Sequence, residues 1–424
     1  MTPPPHEPAT ITLLLRAAEL LHTYGTPAHR LERVVVHLAA HFGLTVQVFS
    51  QPTSLFIGFE EGAPERVRLL RVEPGGVDLG KLVDVDELLE EVEAGRVAPE
   101  EALVRLDELE AHPPRWSGFA SVLGHGLAAG SAAVFFGGRV ADALLSAVLG
   151  VLIGLLERVA QRREGVAGIY EPLAAFLAAA VGVAAARVWA GAIDDRIVAL
   201  ASVIVLVPGL SLTVALIELA TRHLASGTAR LTGALSVFLT IAFGAYLGRA
   251  VVEGFIGPGQ VGAPAAPEAL LSSPVALVAT VALASLGFGL LFGARARELP
   301  WVFGSSATGF AVARLVTELA TQSGAEDPTV AVKAAAIASF AGALAVGTFA
   351  NFYARFRNRP ATVPLLPGLL VLVPGAVGYR ALSAFAEQNA VTGIETAFQM
   401  LLVAAALVGG LLTANVVLPP RRVL

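Results

Sequence analysis

Cysteine is absent from all 424 residues, lysine occurs only at Lys81 and Lys333, and just 15% of the chain is charged. The first absence excludes a disulfide framework, a thiolate metal centre and a cysteine nucleophile. The scarcity of charge argues against a soluble protein, since globular domains carry about 25% charged residues. Instead 55% of residues are hydrophobic and the mean hydropathy is +0.71, values that belong to a membrane protein. No P-loop, GxSxG or GxGxxG stands in a suitable context, and His37 and His41, one turn apart, lack both an HExxH pattern and a third ligand. No enzyme activity, cofactor or metal is therefore expected. No basic stretch interleaved with aromatics suggests nucleic acid. Without an ATP site, an ion gradient is the expected energy source.

The charge that is present is segregated. Residues 1–116 hold 19 acidic and 10 basic side chains, whereas the rest hold 15 and 19, so an acidic head precedes a mildly basic body. The proline-rich start, Met1–Pro8, lacks the basic-then-apolar order of a signal peptide, and no export of the head is expected.

Within the head, Ile11–Tyr24 has apolar residues at helical spacing and is ended by Gly25; Thr26-Pro27 then offers an N-cap and first-turn proline for a helix through His41. Leu44–Ser50, Ser54–Glu60 and Val67–Val72 read as strands. Asp78–Ala94 reads as a helix, and Pro99-Glu100-Glu101 opens another with negative charge at its positive end. The expected order is ααβββαα, an α+β domain over residues 1–112.

Gly25-Thr26 followed by Arg30-Leu31-Glu32, then Pro52-Thr53, Arg68…Arg71-Val72 and Asp78-Leu79…Lys81-Leu82 resemble the head of the threonine/serine exporter family. So do Glu101-Ala102, Leu106 and the Pro113-Pro114 approach to the membrane; Glu110-Ala111 departs from an expected isoleucine-like position. The resemblance extends over the whole chain and implies about ten spans after the head, with export of threonine and serine driven by an ion gradient. A split two-protein relative is associated with succinate, so the resemblance alone leaves the substrate open.

Spans need about 20 apolar residues. They are expected near Ser117–Gly138, Val140–Leu156, Ile169–Ala190, Ile197–Ala220 and Leu231–Val252, and again near Val275–Gly293, Pro300–Ala320, Thr329–Phe352, Val363–Ala386 and Thr396–Leu418. The domains become 1–112, a first five-helix repeat at 113–256, a linker at 257–274 and a second repeat at 275–424. With the head in the cytoplasm, twelve arginines face inward and six basic residues outward, which sets both termini inside a plasma (cell inner) membrane. Five crossings per half reverse the direction of the second, so the fold class is a mostly α, polytopic protein of two inverted repeats with an α+β cytoplasmic domain.

Two matches support that repeat. Val-Leu-Val-Pro-Gly occurs at Val205–Gly209 and at Val371–Gly375, 166 residues apart, as do Gly227 and Gly393. Phe136-Gly137-x-Arg139-x-x-Asp142 is echoed by Phe292-Gly293-x-Arg295-x-x-Glu298. Proline removes a donor and clashes with the preceding turn, so Pro208 and Pro374 should each break a helix at membrane depth. The freed amino ends would attract a carboxylate.

The expected substrate site therefore holds Pro208, Gly209, Ser211, Thr213 and Glu218 from one half with Pro374, Gly375, Tyr379 and Arg380 from the other. Glu218 could meet an ammonium and Arg380 a carboxylate. His125, between Gly124 and Gly126, and Glu218 are the proton-coupling candidates. Arg314 and Glu318 lie one turn apart and should neutralise each other, and Asp194-Asp195-Arg196 is expected in an external loop. The reading is a secondary transporter exporting threonine or serine by proton antiport. Export of a succinate-like dicarboxylate, a membrane-embedded hydrolase and a sensor with a ligand-binding head are the alternatives. Partners reduce to a small amino acid, protons and lipid, with homo-oligomerisation open.

Overall fold

The computed structural model describes residues 8–60, 66–73, 75–189, 191–257, 273–322, 328–372 and 390–420. Its N-terminal unit runs α1 (Ala9–Thr23), α2 (Ala28–His41), β1 (Val46–Gln51), β2 (Ser54–Phe59), β3 (Arg66–Arg71), α3 (Leu79–Glu93) and α4 (Pro99–Ala111). This is the expected ααβββαα order. The strands form one antiparallel sheet in the order β1-β2-β3, with Val46 opposite Phe59 and Ser54 opposite Arg71. Period-two alternation buries Leu55, Ile57 and Phe59 of β2, which join Leu14 and Leu21 of α1, Leu31 and Leu38 of α2, Leu82 of α3 and Leu106 of α4 in one core.

Local capping differs from expectation at α2. Pro27, not Thr26, occupies the N-cap and supplies no side-chain acceptor, while the Thr26 hydroxyl is buried without a partner among the described residues. The acceptor comes from far along the chain: the Ala28 N–H donates to Glu218 Oε1 at 3.0 Å. At α3 the cap is local, Asp78 Oδ1 accepting from the Lys81 N–H at 2.9 Å.

The remaining helices are α5 (Gly118–Phe135), α6 (Val140–Ala160), a four-residue α7 (Glu164–Ala167), α8 (Tyr170–Val188), α9 (Asp195–Ser202), α10 (Gly209–Ala220) and α11 (Leu224–Ile256). After them come α12 (Pro274–Leu291), α13 (Leu299–Gln322), α14 (Pro328–Arg357), α15 (Thr362–Leu370) and α16 (Ala390–Val417). Seven helices among the described residues are long and apolar enough to cross a membrane. They also look outward as lipid-facing helices do: Leu144, Val148, Leu152 and Leu155 form an exposed stripe on α6, and Leu235, Leu239, Phe243 and Leu247 another on α11. Alanines such as Ala128, Ala129, Ala174 and Ala178 fill the inside, where small residues let helices approach. The protein is a multi-pass membrane protein.

Three of the expected spans are not among these seven. Leu299–Gln322 is helical but is not among the seven apolar ones; it carries Arg314 and Glu318, paired at 2.7 Å. Ile197–Ala220 is divided: α9 ends at Ser202, residues 203–208 turn, and α10 begins at Gly209. The break thus spans six residues rather than one kink. Pro208 cannot donate, and the Gly209 N–H turns back to Val207 O at 2.7 Å. The span expected at Val363–Ala386 is described only as far as Leu372, with α15 ending at Leu370. Asp194-Asp195-Arg196 starts a helix instead of forming a loop: Asp194 caps α9, and buried Asp195 pairs with Arg249.

Helix α5 packs on α6 and α12, α8 on α11, α13 on α14, and α14 on α16; α10 packs on α11 and also meets α15 and α16. The N-terminal unit is docked on this bundle in two places. At the α10–α11 junction, His223 Nε2 lies 3.0 Å from Glu32 Oε2, beside the Ala28–Glu218 bond. On the α12–α13 turn, the Leu79 N–H donates to Phe292 O at 2.7 Å, Trp116 Nε1 donates to Ala294 O at 2.8 Å, and Arg295 pairs with Asp84 and Glu87. Arg359 also pairs with Glu87, and Asn358 Nδ2 donates to Glu90 Oε1 at 2.9 Å.

Candidate functional site

One face of α10 (Leu210, Thr213, Val214, Ile217 and Thr221) has helical i, i+3, i+4, i+7 spacing and lines a cavity of about 410 Å³. A matching face of α15, Thr362, Leu365, Leu366 and Leu369, forms a second wall. Gly347 and Asn351 of α14 with Leu411, Leu412 and Asn415 of α16 complete the membrane side. The remaining wall comes from the N-terminal unit: Pro27, His29, Arg30, Glu32 and Arg33 of α2, next to His223. The volume lies in the range of small-molecule sites, about 300–1,000 Å³.

The apolar walls come from the bundle and most of the charge comes from α2. Arg30 is 91% buried by its 9% exposure, and its Nη1 has no hydrogen-bond partner among the described residues. Burial, reinforced by Arg33, lowers its guanidinium to about 10. His29 is pushed down to about 3, first by burial and then by Arg30, Arg33, His223 and Arg230, so its ring is neutral. Glu32, the lone carboxylate among the lining residues, is already engaged, accepting from the Ser50 N–H at 2.9 Å and facing His223 at 3.0 Å. On the membrane side Asn351 Nδ2 donates to Asn415 Oδ1 at 2.9 Å and to Leu418 O at 2.7 Å, while the Thr362 hydroxyl is buried without a partner among the described residues. The cavity therefore offers cationic groups on one side and apolar surface with a few hydroxyl and amide groups on the other.

Of the residues expected at the site, Thr213 lines this cavity, although its hydroxyl donates to Gly209 O at 3.0 Å. Ser211 faces outward, exposed. Pro208 and Gly209 start α10 without lining the cavity. Glu218, fully buried, is held by three donors: Ala28 N–H, Ser226 Oγ at 2.8 Å and Arg230 Nε at 3.1 Å. Its geometry is that of a docking group, a carboxylate at the positive end of α2. Pro374, Gly375, Tyr379 and Arg380 lie outside the described residues.

His125 lies buried between α5 and α6, its Nδ1 3.1 Å from Ser121 O and its Nε2 3.4 Å from Glu157 Oε2. The flanking glycines do admit neighbouring helices, since a Cβ on Gly124 would stand 3.0 Å from Gly287 O of α12 and one on Gly126 3.0 Å from Ala147 O of α6. No hydrogen bond or ion pair among the described residues joins His125 to Glu218. Sequence reasoning missed Glu157, Arg230, His223 and the α2 wall. Arg30-Leu31-Glu32 served there only as a mark of resemblance, because helical periodicity places Arg30 on α2 without showing what packs over it.

A helical bundle with a cavity of small-molecule size, covered by an α+β unit, defines a multi-pass membrane protein with a candidate solute site. Residues 12–252 match the family described as "Putative threonine/serine exporter", and residues 277–417 match the one described as "Threonine/Serine exporter, ThrE". The chain belongs to this threonine/serine exporter family. It is also similar to pheromone-regulated membrane protein 10 of Yarrowia lipolytica, 28% identical over 90% of this chain and 31% of that protein. The proteins of the same name in Candida albicans and Eremothecium gossypii are 24% and 25% identical, over 91% and 89% of this chain and 34% and 50% of theirs. The chain thus spans about a third to a half of the length of these relatives. No solved structure matches.

Proposed function

We propose that this protein is a secondary active transporter that exports small amino acids, threonine and serine first, from the cytoplasm across a cell inner membrane. The α+β unit is then a cytoplasmic head fused to ten crossings arranged as two inverted five-helix repeats. Equivalent packing supports the repeat: α8 lies on α11 as α14 lies on α16, and α6 touches α9 as α13 touches α15. Both Phe-Gly-x-Arg segments end a helix with a left-handed glycine, Gly137 at φ 82° and Gly293 at φ 64°, followed by a buried acid, Asp142 or Glu298. The observation that carries the reading is the cavity between α10, which follows the break before Gly209, and α15, which ends at Leu370, one element from each half, as expected of a transporter site at a repeat interface.

Counterflow in proteoliposomes preloaded with threonine, serine or succinate tests it. Threonine and serine should exchange; no exchange of any of the three removes the transport reading in favour of a sensor. Dicarboxylate export is the second reading, favoured by Arg30 and Arg33 in a cavity whose lone carboxylate is already engaged. Exchange of succinate alone would select it.

Proton antiport is the proposed coupling, through His125 with Glu157 or through Glu218. The geometry suits both: the His125 ring faces the Glu157 carboxylate at 3.4 Å, a pair that can pass a proton, and protonating Glu218 would weaken the head's attachment over the cavity. Glu218→Gln should abolish gradient-driven threonine efflux from a protein that still purifies folded; unchanged efflux removes Glu218 from the mechanism.

A further inference from the structure

We infer that Arg30, on α2 of the N-terminal unit, is the anchor for the carboxylate of the transported solute, so that the unit supplies part of the binding site rather than only covering it. The inference rests on the transport reading and deepens it.

Three observations converge. Arg30 lines the cavity, is 91% buried by its 9% exposure, and leaves Nη1 without an acceptor among the described residues. A buried guanidinium that lacks a counter-charge is costly, so one that faces a cavity is poised to pair with an anion that enters it. Its neighbours cannot serve as that anion. Glu32 is bonded to the Ser50 N–H and faces His223, and Glu218 is taken by Ala28, Ser226 and Arg230. Arg33, on the next turn, donates to His29 O at 3.1 Å and is exposed, which makes it a guide for incoming anions at the rim.

The fork of a guanidinium fits a carboxylate with two parallel N–H···O bonds, which a lysine cannot reproduce. Opposite it, Thr362 offers a free hydroxyl, and Leu365, Leu366 and Leu369 an apolar surface. A small solute with one carboxylate, a short side chain and a hydroxyl matches that order of groups. The anchor would take the carboxylate of an amino acid or one carboxylate of a dicarboxylate, and competition between the two separates them.

The test uses the full-length protein in proteoliposomes, with competition against labelled threonine counterflow by threonine, by threoninol (the carboxylate reduced to an alcohol) and by succinate. Wild-type protein should prefer threonine to threoninol by at least about 30-fold, the range expected when a charge-assisted pair is lost. In Arg30→Gln the preference should collapse to within about threefold, with Arg30→Lys keeping part of it. Equal competition by threoninol in the wild-type protein, which depends on no variant, would overturn the inference; so would a preference that survives in Arg30→Gln or is fully kept in Arg30→Lys. If succinate competes as well as threonine, the carboxylate anchor stands and the amino-acid preference falls. Absence of any wild-type exchange would instead strike the transport reading itself.

Discussion

At the interface between α2 and the bundle, burial of His29 is expected to make stability fall in acid. His29 packs edge-on to His223 at 6.2 Å between ring centroids, with Arg30, Arg33 and Arg230 nearby, and burial holds it down at about 3 from an ordinary 6.5. When the folded group binds its proton less readily than the unfolded one, the stability it contributes is complete above the unfolded value. It is lost as pH falls toward the folded value. The window therefore runs from about 6.5 down to about 3, at about 1.4 kcal/mol per pH unit. His22 is lowered as well, by burial against the pull of Pro52 O, and acts in the same direction. Melting curves of the purified protein should show a falling transition temperature between pH 6.5 and 4.5, and His29→Gln should flatten that slope by about half. An unchanged slope in the variant would mean that His29 is protonated while docked.

The helices show how far local sequence rules reach. The α+β order of the N-terminal unit, the placement of α5, α6, α8 and α12, and the break before Gly209 all follow from periodicity, proline and glycine, because these act within a few residues, although α6 runs on past the expected end at Leu156 to Ala160. The width of the break does not follow: Pro208 marks its end, whereas its start at Val203 depends on how α9 packs against α5, α6 and α8. Glycine on long helices carries a second message that composition hides. A Cβ on Gly244 or Gly248 of α11 would fall on the carbonyls of Pro172 or Phe176 of α8, and one on Gly410 of α16 on the Phe340 carbonyl of α14. Gly233 on the same α11 has no atom within 4 Å of such a Cβ. Gly244→Ala should therefore destabilise by about 1–3 kcal/mol through overpacking against backbone. Gly233→Ala should be neutral or stabilising by up to about 1 kcal/mol through helix propensity. Thermal melts of the two variants in detergent check this; equal melting temperatures would show that α8 and α11 do not meet at these glycines.

The part of the site that was illegible is the part assembled from distant segments. Ala28 and Glu218 are separated by 190 residues, Glu32 and His223 by 191, and Glu87 and Arg295 by 208. Glu218 stands out in the sequence as an acid within an apolar stretch, but Ala28, Glu32, His223 and Glu87 look locally like ordinary helix or loop positions, and only the docked arrangement makes them a site or a latch. The docking joins the N-terminal unit to both parts of the bundle at once, through Glu218 and His223 on one and through Arg295, Asn358 and Arg359 on the other. Because α2 and α3 share a single hydrophobic core, fixing α3 to the bundle also fixes α2 over the cavity. A cycle that opens the cavity toward the N-terminal unit must release these contacts. The absence of native cysteine makes that requirement testable with two introduced ones. Glu90 Oε1 accepts an exposed hydrogen bond from Asn358 Nδ2 away from the cavity, and Asn358 sits at φ 55°, where Cys costs about 1 kcal/mol, so Glu90→Cys with Asn358→Cys should still fold and exchange substrate at close to the wild-type rate. Linking the pair with a short bismaleimide should then stop counterflow, while treatment with a monofunctional maleimide should not. If the linked protein exchanges as fast as the unlinked one, the α+β unit rides on the bundle without gating it, and the cavity must fill and empty by a route that leaves α2 in place.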